Sequence, residues 1–450
     1  MRFGWPAVLI AALLLWSGCG EGSAAGTLSI ALDGAPSESS YVSHDAPPGG
    51  LVSLGDINED GYTDVAVGVT FDKGASSSGR GSLVAYSGKD GAVLWRVRGK
   101  SSKEAEAEGA SAFWLGEIAP IGDLSGDGIV DIYVLEEWNK STFMVFSGKS
   151  GEMLVSQSTP RRGRVRPLRA EDVSGDGLPD LVFRGRNALE VTVLSGRDFS
   201  TVEDGAGPWV QPQGSPVWMT PRFADEDGDG VDDYLVRRWA GKDAEFAVLS
   251  ARDLSVLRSF VSEKPPVTGA DACTSVGDID GDGFADLVLS CSTGGGPSGQ
   301  TSFLRAVSSG NGTVLWEVSG DEMPGGAGGF TVDARTGQRT ELAADVGFGG
   351  QILGLPDLNM DGKDDVAVAA LAPAGKRSAR SLMVFSGADG ELLDVLKPDG
   401  IELPDRSSQQ MVLLESVDGK GTLGIAARAG MFVDGKPTHV VVILTLQPSQ

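Results

Sequence analysis

The sequence predicts an all-β protein, a seven-bladed β-propeller in which each blade is a four-stranded antiparallel sheet. Three observations carry this prediction. The chain of 450 residues contains 65 glycines without a collagen-like triplet period, which favours a turn-rich β protein over helices. A nine-residue acidic segment recurs along the chain, at intervals that average about 60 residues. A β-patterned hairpin follows each acidic copy, so one repeat supplies the four strands of a blade.

The composition is sufficient for a large hydrophobic core, and it argues against several classes of function. Hydrophobic residues make up 41% of the chain, so global disorder is not expected. The formal charge is −25, from 62 acidic and 37 basic residues, and such a surface would repel a phosphate backbone, which argues against nucleic-acid binding. Histidine occurs only at His44 and His439, which makes histidine-based metal sites and histidine-centred catalysis poor hypotheses.

Residues 1–18 have the pattern of an export signal. Arg2 precedes an apolar run at 7–16, which is too short to span a bilayer and fits the central region of a signal peptide. The following Ser-Gly-Cys, which ends at Cys19, resembles the bacterial lipobox, whose cysteine becomes the lipidated N-terminus. The alternative is ordinary signal cleavage near residues 23–25, which would discard Cys19.

Residues 19–49 are small, polar and proline-containing, as in a flexible tether, and the segment 28–32 inside them has the pattern of a short strand. No later stretch is long and apolar enough to span a bilayer. The sequence therefore predicts an exported protein of the bacterial cell envelope, held at the outer membrane or cell surface by its lipid alone. If Cys19 is not lipidated, the protein is expected to be secreted.

The acidic segment follows the pattern Asp-x-Asp/Asn/Ser-x-Asp-Gly-x-x-Asp, with positions numbered 1 to 9. Side-chain oxygens at positions 1, 3, 5 and 9 and a backbone carbonyl at position 7 form a hard-oxygen cage of the kind that Ca²⁺ prefers. Glycine at position 6 allows the chain to bend through positive φ. A seventh segment, at 416–424, keeps this glycine but loses most acids. Loops 1 to 6 lie at 56–64, 123–131, 172–180, 225–233, 278–286 and 357–365.

These six loops supply the candidate metal ligands for up to six Ca²⁺ ions. An EF-hand would need a Glu at position 12 and flanking helices, whereas here strand-like sequence follows each loop. Loops 4 and 5 offer four carboxylates each and the others three, so we expect weaker binding in the others. By loop, the expected ligands are Asp56, Asn58, Asp60, Tyr62 and Asp64; Asp123, Ser125, Asp127, Ile129 and Asp131; Asp172, Ser174, Asp176, Leu178 and Asp180; Asp225, Asp227, Asp229, Val231 and Asp233; Asp278, Asp280, Asp282, Phe284 and Asp286; and Asp357, Asn359, Asp361, Lys363 and Asp365.

The hairpin signal is two β-patterned runs around a short Gly/Asp/Ser turn, as in SLVAYSGKDGAVLWRV at 82–97. One unit is therefore strand, acidic loop, strand, connection, strand, tight turn, strand. Seven units extend the propeller over residues 50–450, with calcium loops in blades 1–6 and a last strand at 439–446. A row of separate sandwiches would need domain linkers, and none is evident between the units.

The loops and their following strands resemble FG-GAP (VCBS-type) repeats, as in the β-propeller of integrin α subunits. Trp-Leu-Gly at 114–116 and Phe-Gly-Gly at 348–350 stand where that family carries its Phe-Gly pair, although its Gly-Ala-Pro element is mostly missing. The resemblance covers residues 50–447 and implies calcium at the loop positions above, but not in blade 7. Two hairpins also look like quinoprotein repeats, but only Trp95 and Trp316 keep that tryptophan, so we interpret this as shared hairpin chemistry without a quinone cofactor.

Cys273 and Cys291 flank loop 5 symmetrically, each five residues from its end. If the two strands pair as a hairpin about the loop centre, these residues face each other and can form a cross-strand disulfide, which export would permit. We therefore expect a disulfide, with two buried thiols as the alternative.

The acidic loops and hairpin turns are short and share one face of the disc, so we expect any ligand on the opposite face, where the connections are longer. Aromatic and basic side chains in those connections would suit a glycan or protein, and the alternative is that the tryptophans pack between blades. The glycine-rich insertion at 320–347 is either a lid or disordered. The ligand-face candidates are Trp138, Trp209, Trp239, Arg161, Arg162 and Arg238.

Three classes of function fit these features. The first is a calcium-binding module that attaches to a protein or glycan, as in adhesion. The second is an extracellular calcium-dependent lyase or hydrolase of polysaccharides; against it, most carboxylates belong to the loops, and the sequence has no nucleophile elbow or metalloprotease helix motif. The third is a structural part of an envelope assembly, held by its lipid.

Overall fold

A computed structural model gives the fold. Within the part of the chain that the structure describes there are 31 β-strands, most of which form the seven antiparallel blades of a β-propeller, and this confirms the predicted fold class. Among the described residues, no helix has the length and apolar character needed to cross a membrane. The residues described are 27–31, 50–69, 82–99, 118–136, 142–158, 166–172, 174–184, 190–206, 218–220, 223–240, 243–263, 272–292, 302–320, 330–332, 339–341, 348–371, 378–396, 401–404, 411–433 and 436–446.

Blades 1 to 5 are separate four-stranded sheets whose strands pair in chain order. The acidic loop joins the first and second strands of each blade, and a tight turn joins the third and fourth. The strands are β2 (Leu51–Gly55), β3 (Asp64–Val69), β4 (Ser82–Tyr86) and β5 (Val93–Arg98) in blade 1; β6 (Ile118–Pro120), β7 (Ile132–Glu136), β8 (Thr142–Phe146) and β9 (Met153–Ser158) in blade 2; β10 (Arg166–Glu171), β11 (Asp180–Arg184), β12 (Glu190–Leu194) and β13 (Thr201–Ala206) in blade 3; β14 (Trp218–Thr220), β15 (Tyr234–Ala240), β16 (Asp243–Leu249) and β17 (Val256–Val261) in blade 4; and β18 (Ala272–Ser275), β19 (Leu287–Ser292), β20 (Ser302–Val307) and β21 (Val314–Ser319) in blade 5.

Blades 6 and 7 are joined by an additional strand. β28 (Ile401–Pro404) pairs with β26 on one side and β30 on the other, so the two blades share one sheet. The described part of the 320–347 insertion is a small two-stranded sheet, β22 (Phe330–Val332) with β23 (Arg339–Glu341). Blade 6 contains β24 (Phe348–Leu355), β25 (Asp365–Leu371), β26 (Ser378–Phe385) and β27 (Leu392–Leu396); blade 7 contains β29 (Met411–Leu414), β30 (Gly424–Val433), β31 (Lys436–Thr445) and β1 (Thr27–Ala31).

The ring is closed by pairing the beginning of the chain with its end. β1 lies antiparallel to β31, with Thr27 opposite Leu444 and Ala31 opposite Val440. β1 therefore supplies the fourth, outer strand of blade 7. It lies within the range predicted as a tether, where the sequence has a strand pattern at 28–32; the remainder of 19–49 lies outside the described residues.

The core lies between neighbouring blades. Val65 and Val67 on β3 face blade 7, where they join a cluster with Val441 and Ile443. Ala66 points to the other side and packs with residues of blade 2 such as Ile132. Alternate residues of one strand thus fill two different cores, because successive side chains point to opposite faces of a sheet. This explains why the second strands contain runs of consecutive apolar residues, such as Val65, Ala66 and Val67 in β3.

The first strand of each blade lies nearest the axis. β2 contacts both β6 and β29, and β24 contacts both β18 and β29. These contacts place blade 1 between blades 7 and 2, and blade 6 between blades 5 and 7. Successive blades are therefore neighbours around the ring, and the acidic loops that follow the first strands all open at one end of it.

Candidate metal-binding loops

Each acidic loop is attached to the hairpin turn of its own blade. The backbone N–H of Gly88, in the turn between β4 and β5, donates to Asp64 Oδ1 at 3.0 Å. The other oxygen, Oδ2, accepts from the N–H of Ile57 at 2.9 Å. Asp64 is fully buried, and it joins the end of loop 1 to its beginning and to the turn.

The same anchor recurs at position 9 in all six loops. Both oxygens accept backbone N–H bonds, one from the start of the loop and one from the hairpin turn. Because each carboxylate oxygen has two lone pairs, these bonds leave position 9 able to bind a metal ion as well, except in loop 2, where Asp131 accepts two hydrogen bonds on each oxygen. The six residues, all fully buried, are Asp64, Asp131, Asp180, Asp233, Asp286 and Asp365.

Burial dominates the electrostatics of these anchors. Desolvation raises the pKa of Asp64 to about 6, and it raises that of Asp233 to about 6 as well, against backbone donors that act in the opposite direction. Carboxylates at positions 1 and 5 of loop 1, and at positions 3 and 5 of loop 4, add to the upward shift. The pKa values of the position 9 carboxyls in loops 2, 5 and 6 are raised by the same cause. A cation placed among these carboxylates would relieve the repulsion.

Position 1 holds the turn of the loop in shape. Asp278 Oδ1 accepts from the N–H of Gly281 at 2.6 Å, and its Oδ2 accepts from the N–H of Gly283 at 2.9 Å. Desolvation acts to raise the pKa of Asp278, but these backbone donors outweigh it and hold the pKa below its ordinary value. Position 1 of every other loop accepts the N–H of position 6 in the same way.

Glycine at position 6 has the positive φ that the sequence predicts, from 86° to 94° in the six loops. Position 4 also has positive φ in each, and four of the loops carry glycine there. Glu59 and Met360 adopt this strained region without being glycine, with φ of 61° and 60°.

Positions 1, 3 and 5 converge. In loop 4 one carboxylate oxygen from each of Asp225, Asp227 and Asp229 lies within 4.8 Å of the others. Asp278, Asp280 and Asp282 form the same arrangement in loop 5. Two oxygens that bind one Ca²⁺ at 2.3–2.6 Å can be at most about 5 Å apart, so these groups fit a calcium ion. In loop 1 the side chain of Asn58 takes the place of the second carboxylate.

A serine at the start of each hairpin turn is a further residue of the candidate site that the loop pattern does not include. Ser87 Oγ donates to Asp60 Oδ2 at 3.3 Å, and Ser386 Oγ donates to Asp361 Oδ2 at 3.0 Å. The serines of blades 2 and 5 contact position 5 in the same way. The signal was present in the sequence, because all six hairpins carry serine at this place.

Loop 7 is used for ring closure. Ser416 stands at position 1, and its Oγ donates to the carbonyl oxygen of Gly61 at 2.8 Å, while its own carbonyl accepts from Thr63 N–H at 2.8 Å. Asp418 accepts from Thr422 Oγ1 at 2.7 Å. This loop therefore binds loop 1 of the neighbouring blade, with only one acid of its own.

The cysteine prediction was wrong about register. Cys273 stands opposite Leu289, so Cys291 is displaced by two residues along β19. Gly277, with φ of 76°, forms an asymmetric bulge in which Asp286 N–H donates to the Gly277 carbonyl oxygen, so the pairing is not centred on the loop. Diagonal neighbours in a sheet are about 7–8 Å apart, beyond the usual disulfide range. Both residues are free thiols, and burial raises the pKa of Cys291 to about 11.

The ligand-face candidates are only partly described. Trp239 was expected in a connection, which is wrong: Arg238 and Trp239 lie in β15, where they pair with Glu245 and Ala244, because the β15–β16 hairpin stays paired as far as Ala240 and Asp243. The other candidates, together with the lipidation candidate, lie outside the described residues: Trp138, Trp209, Arg161, Arg162 and Cys19.

Comparison with known proteins finds a local match to one repeat family and a similarity of fold. Residues 48–84, which contain β2, loop 1 and most of β4, match the FG-GAP repeat family. No curated protein matches the sequence. The chain is similar in structure to the Cps50 (Swd1) β-propeller domain of Myceliophteria thermophila, with a TM-score of 0.45 and 10% identity over 94% of this chain and 100% of that chain. The protein is thus a β-propeller with an FG-GAP repeat, a general scaffold for ligand binding.

Proposed function

We propose that the protein is an exported, lipid-anchored calcium-binding propeller that attaches to a protein or glycan at the envelope surface. The observation that carries this proposal is the convergence of positions 1, 3 and 5 in loops 4 and 5, where three carboxylate oxygens lie within 4.8 Å. Such a set of hard oxygens suits Ca²⁺ better than a transition metal, which prefers nitrogen or sulfur ligands.

Calcium in this arrangement has a structural purpose. The loops lie at one end of the blades, and each is hydrogen-bonded to its own hairpin turn through position 9. An ion held by positions 1, 3 and 5 would neutralise carboxylates that otherwise repel one another, and it would fix the loop against the turn. Calcium would thereby rigidify one end of the ring, and the opposite face would present the ligand site.

Calorimetry tests the calcium part. Titration of chelator-treated protein with Ca²⁺ should give binding at several sites, whereas Mg²⁺ at the same concentration should give much less, since Mg²⁺ demands stricter octahedral geometry. A flat Ca²⁺ titration of folded protein would contradict the proposal.

A glycan array and an overlay on purified envelope proteins test the ligand part, with calcium-loaded and chelated protein compared on each. We expect calcium-dependent retention on one of them. Reproducible cleavage of a polysaccharide by the loaded protein would instead make it an enzyme. Mass spectrometry of the membrane fraction tests the anchor: wild type should carry diacylglycerol on Cys19, and Cys19→Ala should leave the membrane fraction.

A further inference from the structure

In two of the six acidic loops, an arginine of the hairpin turn is bound to the carboxylate at position 5. Arg197, in the hairpin turn of blade 3, donates from Nε to Asp176 Oδ2 at 3.1 Å and from Nη2 to the Asp176 carbonyl oxygen at 3.0 Å. Arg252, at the same place in blade 4, donates from Nε to Asp229 Oδ2 and from Nη2 to the Asp229 carbonyl oxygen at 3.3 Å. Each arginine thus donates two hydrogen bonds to the residue at position 5 of its loop, one to the carboxylate and one to the backbone carbonyl.

The corresponding residues of the other hairpins do not do this. Lys89 in blade 1 lies over the ring of Tyr62, with 5.4 Å from Nζ to the ring centroid. Blades 5 and 6 have Gly310 and Ala388 at this place, and neither side chain can carry a charge. In these blades position 5 Oδ2 accepts from a serine hydroxyl, with no guanidinium beside it. An arginine at this place in the hairpin turn therefore distinguishes loops 3 and 4 from the other four acidic loops.

The charge count shows how large the difference is. Loop 4 has four carboxylates at its ligand positions, but one guanidinium lowers its net charge to that of the three-carboxylate loops. Loop 3 has three carboxylates, so its guanidinium leaves it a smaller net negative charge than loops 1, 2, 4 and 5. Calcium affinity in such loops follows the number of ligand charges, and a guanidinium bonded to Oδ2 also occupies the oxygen that an ion would need.

We propose that Arg197 and Arg252 are tethered cations that compete with Ca²⁺ in loops 3 and 4, so that calcium binds first to loops 1, 2, 5 and 6. This inference rests on the proposed function, since it concerns the same calcium loops. The side chain of Arg252 is 38% exposed and that of Arg197 62% exposed, so solvent screens the Arg252 pair less. Arg252 should therefore be the stronger competitor of the two.

The position of Arg252 extends its influence to a second loop. A Cβ atom built on Gly175 in loop 3 would lie 4.0 Å from Arg252 Nη1. The guanidinium thus lies between loops 4 and 3, and its positive charge acts on both. The loops of blades 3 and 4 consequently have part of their negative charge neutralised without a bound ion.

The test compares wild type with Arg197→Gln/Arg252→Gln by Ca²⁺ calorimetry. We expect four tight and two weak sites in wild type, and the two weak sites about five- to tenfold tighter in the double variant. Lys89→Gln/Lys149→Gln is the matched control, because it removes the same charge from the same place in blades 1 and 2; it should leave the two weak sites weak. Six equal sites in wild type, or the same isotherm for the arginine variant as for wild type, would overturn the inference.

Hydrogen exchange of wild type locates the sites without any substitution. Calcium at a concentration that protects the amides of 278–286 should leave those of 172–180 and 225–233 unprotected. Equal protection of all three segments would contradict the inference even if the arginine variant failed to fold. If wild type binds no Ca²⁺ but the arginine variant gains sites, the tethered cations are supported and the calcium part of the proposed function fails; if neither protein binds, both fail.

Discussion

Trp95 in blade 1 donates a hydrogen bond from Nε1 to the carbonyl oxygen of Gly148 in blade 2, at 2.9 Å. Trp316 in blade 5 makes the same 2.9 Å bond to Gly387 in blade 6. Arg258 occupies the same register in blade 4 and donates to the carbonyl oxygen of Ser309 in blade 5. The fourth strand of one blade is thus bound to the hairpin turn of the next.

Removing the indole N–H of Trp316 should destabilise the propeller. Trp316→Phe keeps most of the ring volume but leaves the buried carbonyl of Gly387 without its donor, which should lower the free energy of unfolding by about 1–3 kcal/mol. Urea denaturation measures this loss. Trp95→Phe should cost less, because Trp95 is half-buried whereas Trp316 is 9% exposed. An equal stability of Trp316→Phe and wild type would show that the hydrogen bond contributes nothing.

The glycine beneath each tryptophan is predicted to couple to it. A Cβ on Gly151 would lie 2.7 Å from the ring of Trp95, and its φ is 72°. Gly151→Ala should therefore be destabilising from both contact and strain. In a Trp95→Ala background the contact disappears and only the strain remains, so the two effects should fall short of additivity by about 1 kcal/mol or more. Strict additivity in urea denaturation would contradict this geometry.

Chelation should lower the melting temperature, because an ion that binds only the folded state stabilises it by mass action. Asp282→Ala should reduce the calcium-induced rise in melting temperature more than Ser174→Ala, since loop 5 has four carboxylates and its position 5 carboxylate is not bound by an arginine of the hairpin turn. Asp418→Ala in loop 7 is the control: it removes an acid outside the six loops and should leave the calcium-induced rise unchanged. Differential scanning calorimetry with and without chelator measures this rise for wild type and for each variant. A rise reduced equally in Asp282→Ala and Ser174→Ala would contradict the prediction.

Position 9 should behave differently from position 3. Asp286 accepts N–H bonds on both oxygens, so Asp286→Asn would place an NH₂ group against a backbone donor. We expect a loss of roughly 1–3 kcal/mol with or without Ca²⁺, measured by urea denaturation. Asp280→Asn should change only the calcium-dependent part, because loops 1 and 6 carry asparagine there naturally. If Asp286→Asn lowered the free energy of unfolding only in the presence of Ca²⁺, position 9 would act mainly as a metal ligand and not as a structural anchor.

The features that repeat locally along the chain could be predicted from the sequence. The pattern of loops 1 to 6 and the alternating strands predicted seven blades, and Gly61 with its equivalents has the positive φ expected from the spacing. These features depend on residues close together in the chain. Period and turn chemistry are visible without knowledge of the fold.

Relationships between distant residues were not predictable in the same way. The bulge at Gly277, which displaced Cys273 from Cys291, depends on how loop 5 closes. The contacts of Arg197 with Asp176 and of Arg252 with Asp229 each join residues more than 20 positions apart. Such pairs become evident only when the turn and the loop have been brought to the same end of a blade.

The pairing of β1 with β31 sets an order of assembly. About 400 residues separate the two strands, so during synthesis β1 has no partner until the C-terminal hairpin has emerged. Once the intervening blades are folded, they hold the two ends near each other, and little further chain entropy is lost. A chain truncated before β31 would leave both β1 and β30 as open sheet edges, available to pair with other molecules. Completion of the last strand is therefore also the step that protects the protein against aggregation.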